Sequence, residues 1–336
     1  MKTTTLSITL LLAFSSSHAI DIPAVHPNIV EINGRLVFAT GLSKPVKTEY
    51  TLKQLVGNPI GTNSGIQFNF GNLNGKLYYG FINPEDGHYP QPVFYKRASD
   101  IKKGQAHIDI LNNLGGKYDM IAWKKTGRGT LGYRVVNETG TILYDGKLAF
   151  TGKSPFQINA ASIIEGPFIN LAENGHFHNT LRVSFETLKK TTATVASQTY
   201  PFKEPATHHE FTLTGLMPDT EYSYTVKTYS GNHHYSESYT FKTAPAPGRR
   251  KPFIFAYASD SRSAQGGGER NIEGTNAYMM KKIGALVRFK GAAFMQFTGD
   301  LINGYLNSIE QTKVEYRNWK RAIEPFAHDM PIIAAM

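Results

Sequence analysis

The feature that most constrains this chain is a change of pattern at TAPAPGRRKP, residues 243–252. Before it, apolar and polar residues alternate with period two, as in half-buried strands. After it, short continuous apolar runs alternate with stretches of helical period. The prolines between the two can donate to no strand ladder and stiffen the backbone, so residues 245–252 read as a linker. The expectation is a multi-domain chain: β modules first, an α/β module after.

The extreme N-terminus reads as a signal peptide over residues 1–19. Lys2 supplies the positive start, Leu6–Phe14 an apolar core, and Ser17-His18-Ala19 a small-x-small cleavage site. The apolar run is too short to span a bilayer as a helix. A retained anchor is the alternative. No other long apolar segment follows, so no membrane span is expected after cleavage, and the location implied is secreted or periplasmic. The chain has no cysteine, which excludes disulfides and thiolate metal sites. Its formal net charge of +10 favours anionic ligands or surfaces. No basic helix or stripe with interleaved aromatics gives a nucleic-acid-binding signature. Nothing in the pattern fixes an oligomeric state.

Residues 20–163 read as an all-β domain of unknown role. Segments such as RLVFAT, GIQFNF, KLYYGFI and PVFYKR are separated by Gly, Asn, Asp and Pro. Asn33-Gly34, Asn74-Gly75 and Asp145-Gly146 are hairpin-turn signals. Residues 132–150 read as a three-strand meander. Asn137-Glu138-Thr139 fits a glycosylation sequon. No metal-ligand spacing and no nucleophile–base pattern occurs here. A sandwich that binds a surface or braces the next domain is the reading that composition allows.

Residues 164–244 are more specific. LRVSFETL alternates, and Pro218 marks a corner before Tyr222, Tyr224 and Val226, which share one strand face. This resembles a fibronectin type III-like β-sandwich. With GPF at 166–168 and FKTAPAPG at 241–248, it resembles the N-terminal domain of purple acid phosphatases and related bacterial phosphoesterases. Any seven-strand sandwich with a Leu-x-Pro corner is the alternative.

From Phe253 the reading is strand, helix, strand, helix, strand. FIFAYAS reads as a buried strand ending at Asp260. A helix spans about Asn276 to Phe289, with Met279, Ile283, Leu286 and Val287 on its inner side. AAFMQFT is a second buried strand, ending in Gly299-Asp300. Ser308 and Gln311 form a capping box opening a helix whose inner face carries Ile309, Tyr316, Trp319 and Ile323. PIIAA, from Pro331, starts a third strand. The order implies a parallel sheet with right-handed crossovers.

In such sheets the ligand crevice lies beyond the carboxyl ends of the strands. Asp260 and Asp300 sit at two such ends. If the strands are neighbours the carboxylates converge and repel one another, and a divalent cation with hard oxygen ligands relieves the conflict. A strand-end aspartate also serves as a helix cap or turn former, which leaves both roles open. Gly175-His176-Phe177-His178 has the look of a metal block but falls inside the sandwich domain and reads as a surface loop. His208-His209 and His233-His234 read as exposed loop histidines.

SDSR, FTGDLIN and PIIAAM together resemble successive blocks of the calcineurin-like metallophosphoesterases. The resemblance implies that residues 253–336 are the N-terminal part of that family's two-sheet α/β sandwich. It implies two divalent metal ions (Mn, Zn or Fe), with Asp260 binding one and Asp300 bridging both. The implied activity is hydrolysis of phosphate-ester substrates by a hydroxide held between the metals, with a later His protonating the leaving oxygen. Arg262 stands where the family has a His ligand. A guanidinium has no free lone pair, so Arg262 cannot ligate; it can grip a phosphate oxygen or pair with Asp260. Asn303 stands where purple acid phosphatases have their iron-binding Tyr, so a tyrosinate–iron site is not expected. The family's later Asn and His ligands would follow the third strand. The expectation is therefore a fragment, inactive by itself, of an exported phosphoesterase. The competing reading is a non-catalytic periplasmic or cell-surface binding protein with a degenerate phosphoesterase domain.

Overall fold

The computed structural model describes residues 29–32, 35–38, 50–82, 95, 97–114, 121–171, 176–195, 205–263, 271–304 and 308–334. The signal-peptide reading of residues 1–19 lies outside them. The chain divides into two units, Met1–Lys47 and Thr48–Met336. The first holds an antiparallel pair, β1 (Ile29–Ile32) and β2 (Arg35–Phe38), with Ile32 opposite Arg35. The Asn33-Gly34 turn signal between them lies outside the described residues.

The second unit opens with α1 (Leu52–Val56), capped by the Thr51 side chain. One three-stranded sheet contains β3 (Ile60–Gly61), β4 (Gly65–Asn69) and β7 (Gln105–Asp109). A five-stranded sheet runs in the order β10-β9-β8-β5-β6. Its members are β5 (Gly75–Ile82), β6 (Arg97–Ile101), β8 (Arg128–Asn137), β9 (Ile142–Thr151) and β10 (Gln157–Ile158). Phe68, Tyr79, Tyr133, Val135 and Phe150 are among the residues that fill the core of this module. The region is mostly β, as expected, with three short helices between its strands, α1, α2 (Ile110–Asn113) and α3 (Ile121–Thr126). Each is too short for a hydrophobic period to announce it.

Two turn signals fail. Asp145-Gly146 lies in mid-strand in β9, so residues 128–151 form two long strands and not three short ones. Asp145 is held there by Arg134, and Gly146 admits the Tyr133 ring, which a Cβ would meet at 2.1 Å. Asn74-Gly75 joins two different sheets, and the Asn74 side chain accepts from Lys103 N at 2.7 Å. The sequon Asn137-Glu138-Thr139 starts the true turn between β8 and β9, where the Asn137 side chain accepts from Thr141 N at 2.8 Å.

The fibronectin-like module is built on one long bent strand. β12 (Leu181–Val195) pairs along its first half with β11 (Ile163–Leu171) and β13 (Ala206–Leu213). Its second half pairs with β14 (Glu221–Ser230), which pairs with β15 (His233–Lys242). A register shift between Glu186 and Thr191 passes the strand from one sheet to the other. Between the sheets lie Val183, Phe185, Val195, Phe211, Leu213, Tyr224, Val226 and Phe241. Tyr222 packs at the edge, and its hydroxyl accepts from Met217 N at 2.8 Å, tying the Pro218 corner. The histidine pairs are in strands, not loops. His209 is buried, stacks on Phe185 and shares a 2.8 Å hydrogen bond with Thr191; His208 and His234 are exposed, as expected.

Three short parallel strands follow in the order β16 (Ala256–Ala258), β17 (Met295–Phe297), β18 (Ile332–Ala334). α4 (Ala277–Phe289) and α5 (Ile309–Ala327) connect them, capped by Asn276 and Ser308. The α4 inner face is rotated from the expected one: Ala277, Met280, Gly284 and Val287 are buried, while Met279 and Leu286 are exposed. Gly284 sets this face, because a Cβ there would lie 2.3 Å from the Phe326 ring of α5. FIFAYAS is not a buried strand. Only Ala256–Ala258 pairs, and Phe253, Phe255 and Tyr257 are 65%, 50% and 67% exposed.

Candidate functional site

Asp260 and Asp300 follow adjacent parallel strands, with Ala258 opposite Phe297. Two further bonds carry the pairing past the strand ends. Thr298 N donates to Ala258 O at 3.0 Å, and Asp260 N donates to Gly299 O at 3.2 Å. Both aspartates then turn into the left-handed region, with φ of 57° and 50°. Asp is among the few residues that enter it routinely, because its short side chain bonds locally. Both aspartates therefore stand at the same edge of the short sheet, and the Arg262 charge acts on each.

Arg262 completes the cluster. Its Nη2 lies 3.0 Å from Asp300 Oδ2, with both side chains nearly half exposed. The guanidinium therefore pairs with Asp300 and not with Asp260. Asp260 is held below the usual carboxylate range first by the Ser259 hydroxyl, which donates to it, and also by the Arg262 charge. A cation beside both carboxylates would relieve their mutual repulsion.

Sequence reasoning missed the residues that hold this cluster. Ser261 is buried; its hydroxyl donates to Leu301 O at 2.8 Å and accepts from Trp319 Nε1 at 2.9 Å. Its carbonyl accepts from Thr275 Oγ1 at 2.9 Å and Asn276 N at 2.8 Å. One serine thus ties the β16 loop to the β17 loop, to the start of α4 and to α5. Asn303 accepts from Ser263 N at 3.1 Å and Ser263 Oγ at 3.0 Å, and its own N–H donates to Gly274 O at 2.9 Å. Gly304 N donates to the buried Glu315 carboxyl at 3.3 Å. Burial pushes Glu315 up to about 7, with Glu273 adding to the effect and the Gly304 N–H opposing it. Gly274 has φ +87° and backs onto Glu315, whose Cγ would lie 2.3 Å from a Cβ. In sequence these residues carry only the signal of lying near the two aspartates.

The donors fit part of a metal shell. Asp260 and Asp300 offer paired hard oxygens at an open edge, as Mg²⁺- or Mn²⁺-type ions take them. Among the described residues no three His, Cys, Asp or Glu side chains come close enough to hold an ion. Two ions are therefore not caged by these residues alone. His176 and His178 stand with ring centroids 5.8 Å apart at a turn of the sandwich module. No helix among the described residues is long and apolar enough to cross a membrane.

Residues 166–243 match the family model of the purple acid phosphatase N-terminal domain. The match covers the fibronectin-like module, directly upstream of the Asp260/Asp300 sheet, and relates this part of the chain to phosphatases. No individual curated protein matches. Among solved structures, the central fibronectin-III array of RIM-binding protein is 12% identical, with 59% of this chain and 74% of that chain covered and a TM-score of 0.23. Two Parabacteroides merdae β-glucuronidase structures are 8% and 9% identical. They cover 89% and 84% of this chain and 42% and 41% of theirs, with TM-scores of 0.20 and 0.22. Superpositions this loose say nothing about the architecture of the present chain.

Proposed function

We propose that residues 253–336 begin a calcineurin-like metallophosphoesterase domain, and that the protein is an exported, metal-dependent hydrolase of phosphoric esters. The observation that carries this reading is the placing of Asp260 and Asp300 just past the ends of adjacent parallel strands, with Arg262 beside them. The phosphatase-type domain immediately upstream supports it. So does the exposed aromatic face of the short sheet, where Phe255 stacks on Phe294 at 5.4 Å. A second sheet, as the family's sandwich has, would cover such a face.

In this reading Asp260 and Asp300 are the residues that would hold divalent metal. The metal supplies charge neutralisation for the phosphoryl group and a low-pKa water. Arg262 would bind a phosphate oxygen, for which its guanidinium would have to leave Asp300. Ser259 keeps Asp260 ionised, and Ser261 with Asn303 fixes both loops so that the carboxylates need no reorganisation.

The Arg262–Asp300 pair favours a second reading, a binding protein whose phosphoesterase site has decayed. An arginine that saturates the would-be bridging ligand replaces a metal rather than assisting one. Hydrolysis of 4-nitrophenyl phosphate by the protein purified from its own cells and loaded with Mn²⁺, Zn²⁺ or iron separates the two. Turnover that Asp300→Asn abolishes supports the enzyme; no turnover with any of these metals sinks it.

A further inference from the structure

A second site lies away from the aspartates. The outer face of the five-stranded sheet meets α4 across a cleft of about 500 Å³, within the usual size of small-ligand pockets. Tyr78 from β5, Arg134 and Val136 from β8, and Tyr278 and Lys281 from α4 line it, with Tyr95 beside them. Tyr78 and Arg134 are cross-strand partners, and Arg134 is opposite Asp145. The walls are therefore fixed by the sheet register.

The two cations of the cleft differ in what they have left to give. Arg134 is committed: it makes two bonds to Asp145, at 2.7 and 2.8 Å, and lies 4.6 Å from the centre of the Tyr95 ring. Lys281 has no ion-pair partner among the described residues, and desolvation pushes its amine down to about 8. An ammonium in that position gains from an arriving anion.

We propose that this cleft binds a small ring-bearing carboxylate, its anionic group on the Lys281 ammonium and its ring against the tyrosine walls. One uncommitted ammonium balances one negative charge. A phosphomonoester dianion would bring a second charge into a partly desolvated cleft with nothing to meet it. The tyrosines offer flat apolar faces with hydroxyls at their rims, which suits an aromatic or pyranose ring. The cleft shares no residue with Asp260, Arg262 or Asp300, so it stands whether or not the phosphoesterase reading does.

The test is calorimetric titration of the full chain in EDTA with benzoate and with galacturonate, the two arms separating an aromatic from a sugar ring. Acetate and benzyl alcohol control for charge without ring and ring without charge. At least one ring carboxylate should bind saturably, about tenfold or more tighter than either control. Lys281→Gln should weaken it about tenfold, Lys281→Arg should retain it, and Asp300→Asn should leave it unchanged. Thermal unfolding of each variant checks the fold. Equal affinity in wild type and a folded Lys281→Gln overturns the proposal, as does a wild type that binds neither ring carboxylate tighter than acetate.

Discussion

Asp260 and Asp300 each leave their strand through a left-handed turn, and Arg262 reaches across to the second of them. Replacing Arg262 by His should free Asp300 and add a nitrogen donor. Manganese affinity should rise about tenfold, the scale on which single groups around metal sites act, as read by Mn²⁺ electron paramagnetic resonance. Glu315 gives a prediction in pH. Its folded pKa of about 7 lies above the ordinary 4.5, so the folded state holds the proton longer than the unfolded chain. The contribution to stability is therefore complete below about pH 4.5 and is lost as pH rises to about 7. Glu315→Gln keeps an acceptor for Gly304 N without the charge. It should flatten stability between pH 4.5 and 7 and raise it at pH 7 by up to about 3 kcal/mol, measured by urea unfolding. The strand-end positions of the two aspartates were legible because an apolar run closing in Asp has a pattern. Ser261, Asn303 and Glu315 were not, because their roles depend on which loops the fold brings together.

At the scale of elements, α5 decides most. Its caps were legible: Ser308 accepts from Gln311 N at 3.3 Å, as the capping box predicts. Its inner face was legible at Tyr316, Trp319 and Ile323 but not elsewhere. Ile309 is exposed, while Arg321 and Glu324 are buried with Trp319 and Ile323. Hydrophobic periodicity reads charged residues as solvent-facing, and here they are buried as partners. Glu324 takes Lys147 of β9 and Arg321; Glu165 of β11 takes Arg317 and Lys320. Arg321 also donates to Asp145 O at 3.2 Å, and Asn318 donates to Leu143 O at 2.9 Å. α5 thus packs on β9, which explains why that strand is buried on both faces rather than one. Glu324→Ala leaves two buried cations without their shared anion. It should cost about 3–5 kcal/mol, seen as a lower urea midpoint. Replacing Lys147 by Met in the same background should recover part of that loss.

The change of hydrophobic period at the proline segment, 243–252, was legible. The contacts across it were not. Ile142 of β9 and Phe168 of β11 lie in the core of the α/β module, Val314 of α5 lies in that of the first β module, and Tyr224 donates to His328 O at 2.7 Å. Contacts between modules leave no periodic trace in any one of them. Residues 48–336 should therefore unfold together. Trp123 reports on the β module and Trp319 on α5, and Trp→Phe variants isolating each should give coincident denaturation curves. The central claim, that the strand-end aspartates take a shared cation, is tested most directly by Mn²⁺ titration of the chain, read by electron paramagnetic resonance. Saturable uptake in wild type that disappears in Asp260→Asn/Asp300→Asn is the predicted result. Uptake that the double variant retains in full, or none in wild type, would contradict it.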